Sequence, residues 1–475
     1  MSRTKKIVLC ISLTILIICS IIYNCINSDT YFTITSGNDL LAGNFSTISH
    51  VNNTPAIIQQ WLYAIILALI DNNFGKLGLY VWVAIQNVVL IYISYKFIYT
   101  KTNNKTISII GPLVSIILLN SYTCSSRPEV ITIILLLLQV CILEMYRKFD
   151  NIKYLLLLIP LFIISANLHQ AVFLYHFYIM IPFLIYNKKI DWKLVLSCPI
   201  LFLTDFITPY GINGVTFLYK VYRTHVFNIV YIPEVSGFTF SNSTLFCTLC
   251  VIFMIISLIY ITHIHFDAYF VFYGLTSVIV IFASFRHIIL MYIALMYLFI
   301  NVKHLKLPKI ETEIFYVMIV FIMCLSFILT VRQDPDHDNR MALVSKLDSF
   351  YVSKDKTIYN TINLGPYLEY KGYNIVLDTR PELYTKRVSG LDYNPIEKYY
   401  VDIECCGLIY KDKIFEELDE FNTLVISKGT NIEKLLLNDS GNFICVYENE
   451  AGYIFLKKSI YYENGLCYNN VYMYE

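Results

Sequence analysis

The chain has 475 residues, of which 57% are hydrophobic and only 15% charged. An ordinary soluble domain carries about 25% charged residues and a disordered chain is poor in apolar ones, so both classes are excluded. The net charge of +1 hides a division: residues 1–331 hold 20 basic and 12 acidic side chains (+8), and residues 332–475 hold 16 basic and 23 acidic (−7).

The long apolar runs all fall in the first part. A run near 20 residues crosses a bilayer as a helix, because open backbone groups are too costly in hydrocarbon. In chain order the predicted spans are Ile7–Tyr23, Gly78–Ile98, Ile107–Asn120, Val130–Tyr146, Tyr154–Ala166, Ala171–Tyr186, Leu194–Ile207, Thr244–Ile261, Ala268–Ser284, Ile288–Ile300 and Ile314–Val331, about 11 in all. Ile57–Ile70 is apolar, short for a span and follows Pro55. It either crosses the membrane, leaving Lys96, Lys101 and Lys105 outside, or lies on the outer surface as an amphipathic helix, leaving them inside. The second reading is adopted because it makes the later basic loops cytoplasmic. The fold class expected is therefore mainly α. A polytopic helical membrane domain (1–331, with an outer first loop and surface helix over 24–73) precedes a small extracytoplasmic α/β domain (332–475).

Orientation follows from basic residues. Arg3, Lys5 and Lys6 precede the first span, and no small-residue cleavage site follows it, so the span is read as a retained anchor with a cytoplasmic N-terminus. With the surface helix outside, the loops holding Lys96, Lys101 and Lys105, then Arg147, Lys148 and Lys153, then Lys188, Lys189 and Lys193, all become cytoplasmic. The chain is expected to be a multi-pass membrane protein with the C-terminal domain outside.

This topology gathers polar residues on the outer face: Asp29, Trp61 on the surface helix, Arg127, His169, Asp205, Tyr210, Glu234, Arg286 and His287. An ionisable group near a span is costly and invites a functional reading. Each also has a plain one. Asp29 suits a turn or helix end. Pro128 and Glu129 suit a helix start, which leaves Arg127 unexplained. Asn167-Leu168-His169 suits a cap. Arg286-His287 is either a snorkelling pair or a phosphate site, since Arg grips phosphate in a bidentate fork.

The tail alternates strand-like runs (Ile375–Leu377, Thr423–Ile426, Phe443–Tyr447, Tyr453–Leu456) with helix-like ones (Ile414–Glu420, Ile432–Leu437). Asp378, Arg380 and Glu382 read as a structural ion-pair network or a binding cluster. No Cys/His spacing reads as a metal site, no glycine-rich phosphate loop is present, and no cofactor or nucleic-acid partner is expected.

The order of these pieces resembles a large bacterial family of polytopic membrane proteins with glycosyltransferase C-type architecture, related to polyprenyl-phosphate-sugar transferases. The matching pieces are Asp29-Thr30-Tyr31-Phe32, Trp61-Leu62, Arg127-Pro128, Asn167-Leu168-His169, Thr208-Pro209-Tyr210-Gly211, Glu234, Arg286-His287, Gly365-Pro366-Tyr367-Leu368 and Asp378-Thr379-Arg380-Pro381-Glu382-Leu383-Tyr384. Family positions held elsewhere by His or an acid are here Thr33, Asn27 and Gln60. The resemblance implies sugar transfer from a polyprenyl-phosphate donor to an envelope glycan or protein acceptor. In that chemistry Asp29 is the expected base. Arg127, Arg286 and His287 are expected to hold the donor phosphate. His169, Glu234, Trp61 and Tyr210 would orient the acceptor or the loops. The alternatives are a non-catalytic subunit of a glycan assembly machine and a transporter or flippase. The transporter reading is the weaker, because no internal repeat is visible.

Overall fold

The computed structural model describes residues 3–45, 57–186, 188–223, 237–239, 245–302, 337–380, 388, 411–438 and 440–463. The chain divides into two compact units, one of Met1–Ile26, Gln59–Leu218 and Ile232–Asp334, the other of Asn27–Ile58, Tyr219–Tyr231 and Pro335–Glu475.

The first unit is helical. Among the described residues, four helices are long and apolar enough to cross a membrane: Trp61–Thr102, Glu129–Phe149, Lys153–Val172 and Cys247–Ile264. Shorter apolar helices cover Lys105–Leu118, Leu174–Phe183, Ala268–Ala283 and Phe285–Asn301. The predicted span Ile314–Val331 lies outside the described residues.

The surface helix and the second predicted span are joined into one 42-residue helix, Trp61–Thr102. It is broken at Gly75, whose φ of 57° and ψ of −152° are open only to glycine. Nothing lies within 4 Å of the place a Cβ would take at Gly75. Backbone conformation, not crowding, therefore demands glycine there.

The segment predicted as the span Ala171–Tyr186 is not one continuous helix. It is a 3-10 turn (Gln170–Val172), a seven-residue helix (Leu174–Met180) and a second 3-10 turn (Ile181–Phe183). Pro182, which has no N–H to give, sits in that second turn. The chain then enters a two-stranded ladder, Ile185–Tyr186 against Lys189–Ile190.

Polar contacts collect at the two ends of the long helices. At one end Lys101 pairs with Glu144 at 2.6 Å, Arg147 with Asp191 at 3.0 Å and Lys193 with Asp150 at 3.1 Å. The connections at this end carry the caps. Asn104 accepts from the Thr106 and Ile107 N–H groups, Asp191 from Leu194, and Asp267 from Tyr269 and Phe270. The Glu129–Phe149 helix runs from the other end to this one. Its 21 residues span about 30 Å, the thickness of a hydrocarbon core. Between the ends lies the Met291–Asn301 helix, with Met291 through Tyr297 all 3% exposed or less. A helix apolar all round is stable only when surrounded. Its Tyr292 hydroxyl meets Ser94 Oγ at 2.9 Å, so the one polar tip of that side chain has a partner.

The second unit is built on a four-stranded sheet in the order Tyr359–Asn360, Thr423–Ser427, Gly452–Lys457, Phe443–Glu448. The first pair is parallel and the others antiparallel. Leu424, Ile426, Phe443, Tyr453 and Phe455 bury one face against Ile414, Leu418, Ile432, Leu435 and Leu436 of the Lys411–Leu418 and Asn431–Asn438 helices. Among the described residues, the predicted strand at Ile375–Leu377 forms a single bridge, Ile358 to Ile375. The side chain of Asn360 binds three backbone groups of this segment. Its Oδ1 accepts from Val376 and Leu377 N–H at 3.1 and 3.3 Å, and its Nδ2 donates to Leu377 O at 2.6 Å. Helix Ser28–Leu41 belongs to this unit and meets helix Gly365–Tyr370 through Tyr31, whose ring lies 4.8 Å from Tyr367 and 5.0 Å from Tyr370.

Candidate functional site

In the first unit the motif residues converge at one end of the helices. Trp61, at the start of the Trp61–Thr102 helix, donates its indole N–H to Asn167 Oδ1 at 2.9 Å. The Asn167 amide donates in turn to Ile163 O (2.7 Å) and to Ile207 O (2.8 Å). One side chain thus ties the Leu158–His169 helix to the surface helix and to the turn before Tyr210. That turn closes with Gly211 N–H on Thr208 O at 3.1 Å, Gly211 adopting a φ of +50°. Tyr210 is buried within it.

The Arg-Pro segment is held by its backbone. The Tyr63 hydroxyl donates to Ser126 O at 2.9 Å and to Arg127 O at 3.0 Å. Ser126 N–H is bound to Cys25 O at 2.9 Å. Pro128 then stands at the N-cap position of the Glu129–Phe149 helix, with Glu129 in the first turn where the helix dipole favours an acid. Thr132, one turn on, shares a 2.8 Å hydrogen bond with His169 Nδ1. Arg286 lies within electrostatic reach of His169. His287 Nδ1 meets the Tyr175 hydroxyl at 2.6 Å. The predicted residues Trp61, Arg127, His169, Tyr210, Arg286 and His287 therefore all belong to this unit. Glu234 lies outside the described residues.

Several contributors were not singled out by sequence. Gln170 is almost fully buried. Its backbone N–H binds Gln59 O at 2.9 Å, and its amide donates to Asp205 Oδ1 at 3.1 Å. Asp205, a polar residue of the predicted outer face, is itself buried and finds its partner here. Gly214 makes room for this amide, because a Cβ there would stand 2.8 Å from Gln170 Oε1. Tyr63 and Thr132 also escaped notice, since nothing in a Tyr or Thr on an apolar helix signals a distant carbonyl or imidazole.

Asp29 belongs to the second unit. It stands in the first turn of helix Ser28–Leu41, which Asn27 caps. Asn27 Oδ1 accepts from Thr30 N–H, and Asn27 N–H donates to Thr30 Oγ1, both at 3.0 Å, a reciprocal capping box. Asp29 Oδ1 accepts from Thr379 Oγ1 at 3.0 Å. Thr33 donates back to Asp29 O at 2.7 Å.

Of the predicted tail cluster, Asp378 and Arg380 pair through a carboxylate-guanidinium contact, and Arg380 also pairs with Glu369 at 2.6 Å. Both acids are almost wholly buried. The Arg380 guanidinium lies 4.9 Å above the Phe32 ring. Glu382 lies outside the described residues. Among the described residues no group of three His, Cys, Asp or Glu is arranged to hold a metal ion.

No family model matches the sequence, and no curated protein matches it. Its structure is similar to crystal structures of ArnT from Cupriavidus metallidurans. One is bound to undecaprenyl phosphate, with a TM-score of 0.48 and 10% identity over 96% of this chain and 98% of that chain. The other is in the apo state, with a TM-score of 0.45 and 9% identity over the same shares.

Proposed function

We propose that this chain is a polytopic membrane glycosyltransferase that moves a sugar from a polyprenyl-phosphate donor to an envelope glycan or protein acceptor on the outer face. One observation carries the reading. Motifs scattered from Trp61 to Ile207 are tied by side-chain and backbone contacts at one end of one helical unit. The order of those motifs along the chain, including the Asp29 and Asp378–Arg380 segments, adds to it.

In the proposed reaction Asp29 takes the proton of an acceptor hydroxyl. The acceptor oxygen bonds to the anomeric carbon while the bond from that carbon to the phosphate oxygen breaks, through an oxocarbenium-like state. The electron pair leaves with polyprenyl phosphate. Arg127, Arg286 and His287 are assigned to the charge that gathers on that phosphate. His169, Trp61, Tyr210 and Glu234 are assigned to orienting the acceptor and its loops. About eleven spans, a cytoplasmic N-terminus and an outer C-terminal α/β domain complete the proposal.

The test is transfer of label from a radiolabelled polyprenyl-phosphate hexose in membrane vesicles holding wild-type chain or Asp29→Asn. Label incorporated equally by both removes Asp29 as base. A second reading, a non-catalytic subunit of a glycan assembly machine, is favoured by Asn27. Where relatives carry a second acid, this chain has a side chain engaged in capping a helix. Wild-type vesicles that transfer no label, from a strain whose glycan still depends on the chain, would support that second reading.

A further inference from the structure

We propose that Thr379 is a positioning residue for the Asp29 carboxylate, holding it from a segment 350 positions away in the chain; this rests on the reading of Asp29 as general base. The Thr379 hydroxyl donates to Asp29 Oδ1 at 3.0 Å. A lone surface threonine would be a weak tether, but Thr379 stands between two anchored neighbours. Asp378 is fully buried, and its Oδ1 accepts the Arg380 backbone N–H at 2.8 Å. The Arg380 side chain is gripped by Asp378 on one side and by Glu369, 2% exposed, on the other. Its guanidinium plane then covers Phe32.

Asp29 and Phe32 are three positions apart, so they share a face of helix Ser28–Leu41. Thr379 and Arg380 therefore clamp that one face at two adjacent points. The approach behind them is equally specific. Gly365 opens the helix that carries Glu369, and a Cβ on it would stand 2.1 Å from Leu377 O. The backbone of residues 377–378 can pass there only against glycine. On the other side of Asp29, the Asn27–Thr30 capping box and the Thr33 hydroxyl fix the first turn of its helix.

A carboxylate that must take a proton from a positioned hydroxyl needs a defined direction. A misplacement of roughly 1 Å at a reacting group costs on the order of a hundredfold in rate. A hydroxyl donor on Oδ1 turns the carboxylate plane to one angle without supplying charge of its own. Threonine serves because its β-branch restricts χ1, so the donor is itself held in place. The Asp-Thr-Arg tripeptide thus combines a buried acid as foundation, a hydroxyl as guide and a guanidinium as brace.

Two measurements on the full-length chain test this. The first reads the pairing without catalysis: melting of wild type, Asp29→Ala, Thr379→Val and the double variant in detergent. Losses in the double variant smaller than the sum of the singles are expected, and strictly additive losses overturn the pairing. The second reads turnover of a radiolabelled polyprenyl-phosphate hexose in membrane vesicles. Thr379→Val should lower kcat tenfold to a hundredfold with KM unchanged, and Thr379→Ser should restore most of it. A silent Asp29→Asn beside a Thr379→Val with wild-type kcat removes the positioning role alone. Turnover by Asp29→Asn, or none by wild type, removes the reading of Asp29 as base and the positioning role that rests on it, while the melting cycle still decides whether the two residues are coupled.

Discussion

Asn167 accepts the Trp61 indole N–H at 2.9 Å and spends its own amide on two backbone carbonyls, so three segments meet at one side chain. Trp61→Phe keeps the ring and removes the donor. It should cost about 1 kcal/mol, the net value of one hydrogen bond. Asn167→Leu should cost more, because it removes the tie to the Ile207 carbonyl as well as the one to Trp61. Melting of the two variants in detergent checks the order, and equal losses would contradict the three-way tie.

Arg127 and Arg286 are assigned to the leaving phosphate. Arg286→Gln and Arg127→Gln should each lower kcat by roughly 10²–10³, the usual cost of losing one donor aimed at a developing charge. Lysine at either position should recover part of the rate, since it keeps the charge without the fork. The same label-transfer measurement in vesicles decides it, and a glutamine variant at wild-type rate would take that arginine out of the reaction.

Gly75 breaks the Trp61–Thr102 helix in a conformation closed to side chains. Gly75→Ala should destabilise the chain by about 1–3 kcal/mol through strain alone, because the space for a methyl group is open. Gly75→Val should add little beyond that. A valine far worse than alanine would mean crowding instead.

Arg380 stands between Glu369 and Asp378, both essentially out of solvent. Removing it leaves two buried acids without their cation, a loss of about 3–5 kcal/mol. Arg380→Met should therefore show early protease cleavage in residues 337–463, and Arg380→Lys should fall between the two. Wild-type resistance in Arg380→Met would show that the acids do not need the guanidinium.

Burial, with Glu448 and Glu433 nearby, pushes the Tyr453 phenol up from its ordinary 10 to about 12. The folded state favours the neutral phenol. Its contribution is present below pH 10 and is lost as pH rises from 10 through about 12. The tyrosinate absorbance difference between wild type and Tyr453→Phe should titrate near 12, and a midpoint at 10 would mean the ring is solvated in the fold.

Local chemistry made much of the architecture readable. Pro128 and Glu129 announced a helix at the place one begins, and the β-branched apolar run Thr423–Ile426 foretold the strand Thr423–Ser427. What escaped depends on partners distant in sequence. Ile375–Leu377 has a strand's composition, yet the Asn360 side chain takes three backbone groups there that a neighbouring strand could use. Ala171–Tyr186 is apolar enough for a span, but Pro182 and two 3-10 turns interrupt it. Trp61, Arg127, His169 and Arg286 stood out because charge or an indole is conspicuous beside apolar runs. Gln170 and Thr379 did not, because an amide or a hydroxyl acquires meaning only from what it touches.

The separation of polar contacts along the Glu129–Phe149 helix has a consequence for where this protein can work. Tyr63 and His169 bind one end of that helical block, and Asp191 and Lys101 bind the other. The 21-residue helix that joins the two ends rises about 30 Å from its first residue to its last. The chain therefore carries its own gauge of bilayer thickness. In vesicles of markedly shorter or longer acyl chains, one polar end is drawn into hydrocarbon or the lipid must deform to meet it. Lipid length is thus a lever on this protein's stability that needs no substitution at all.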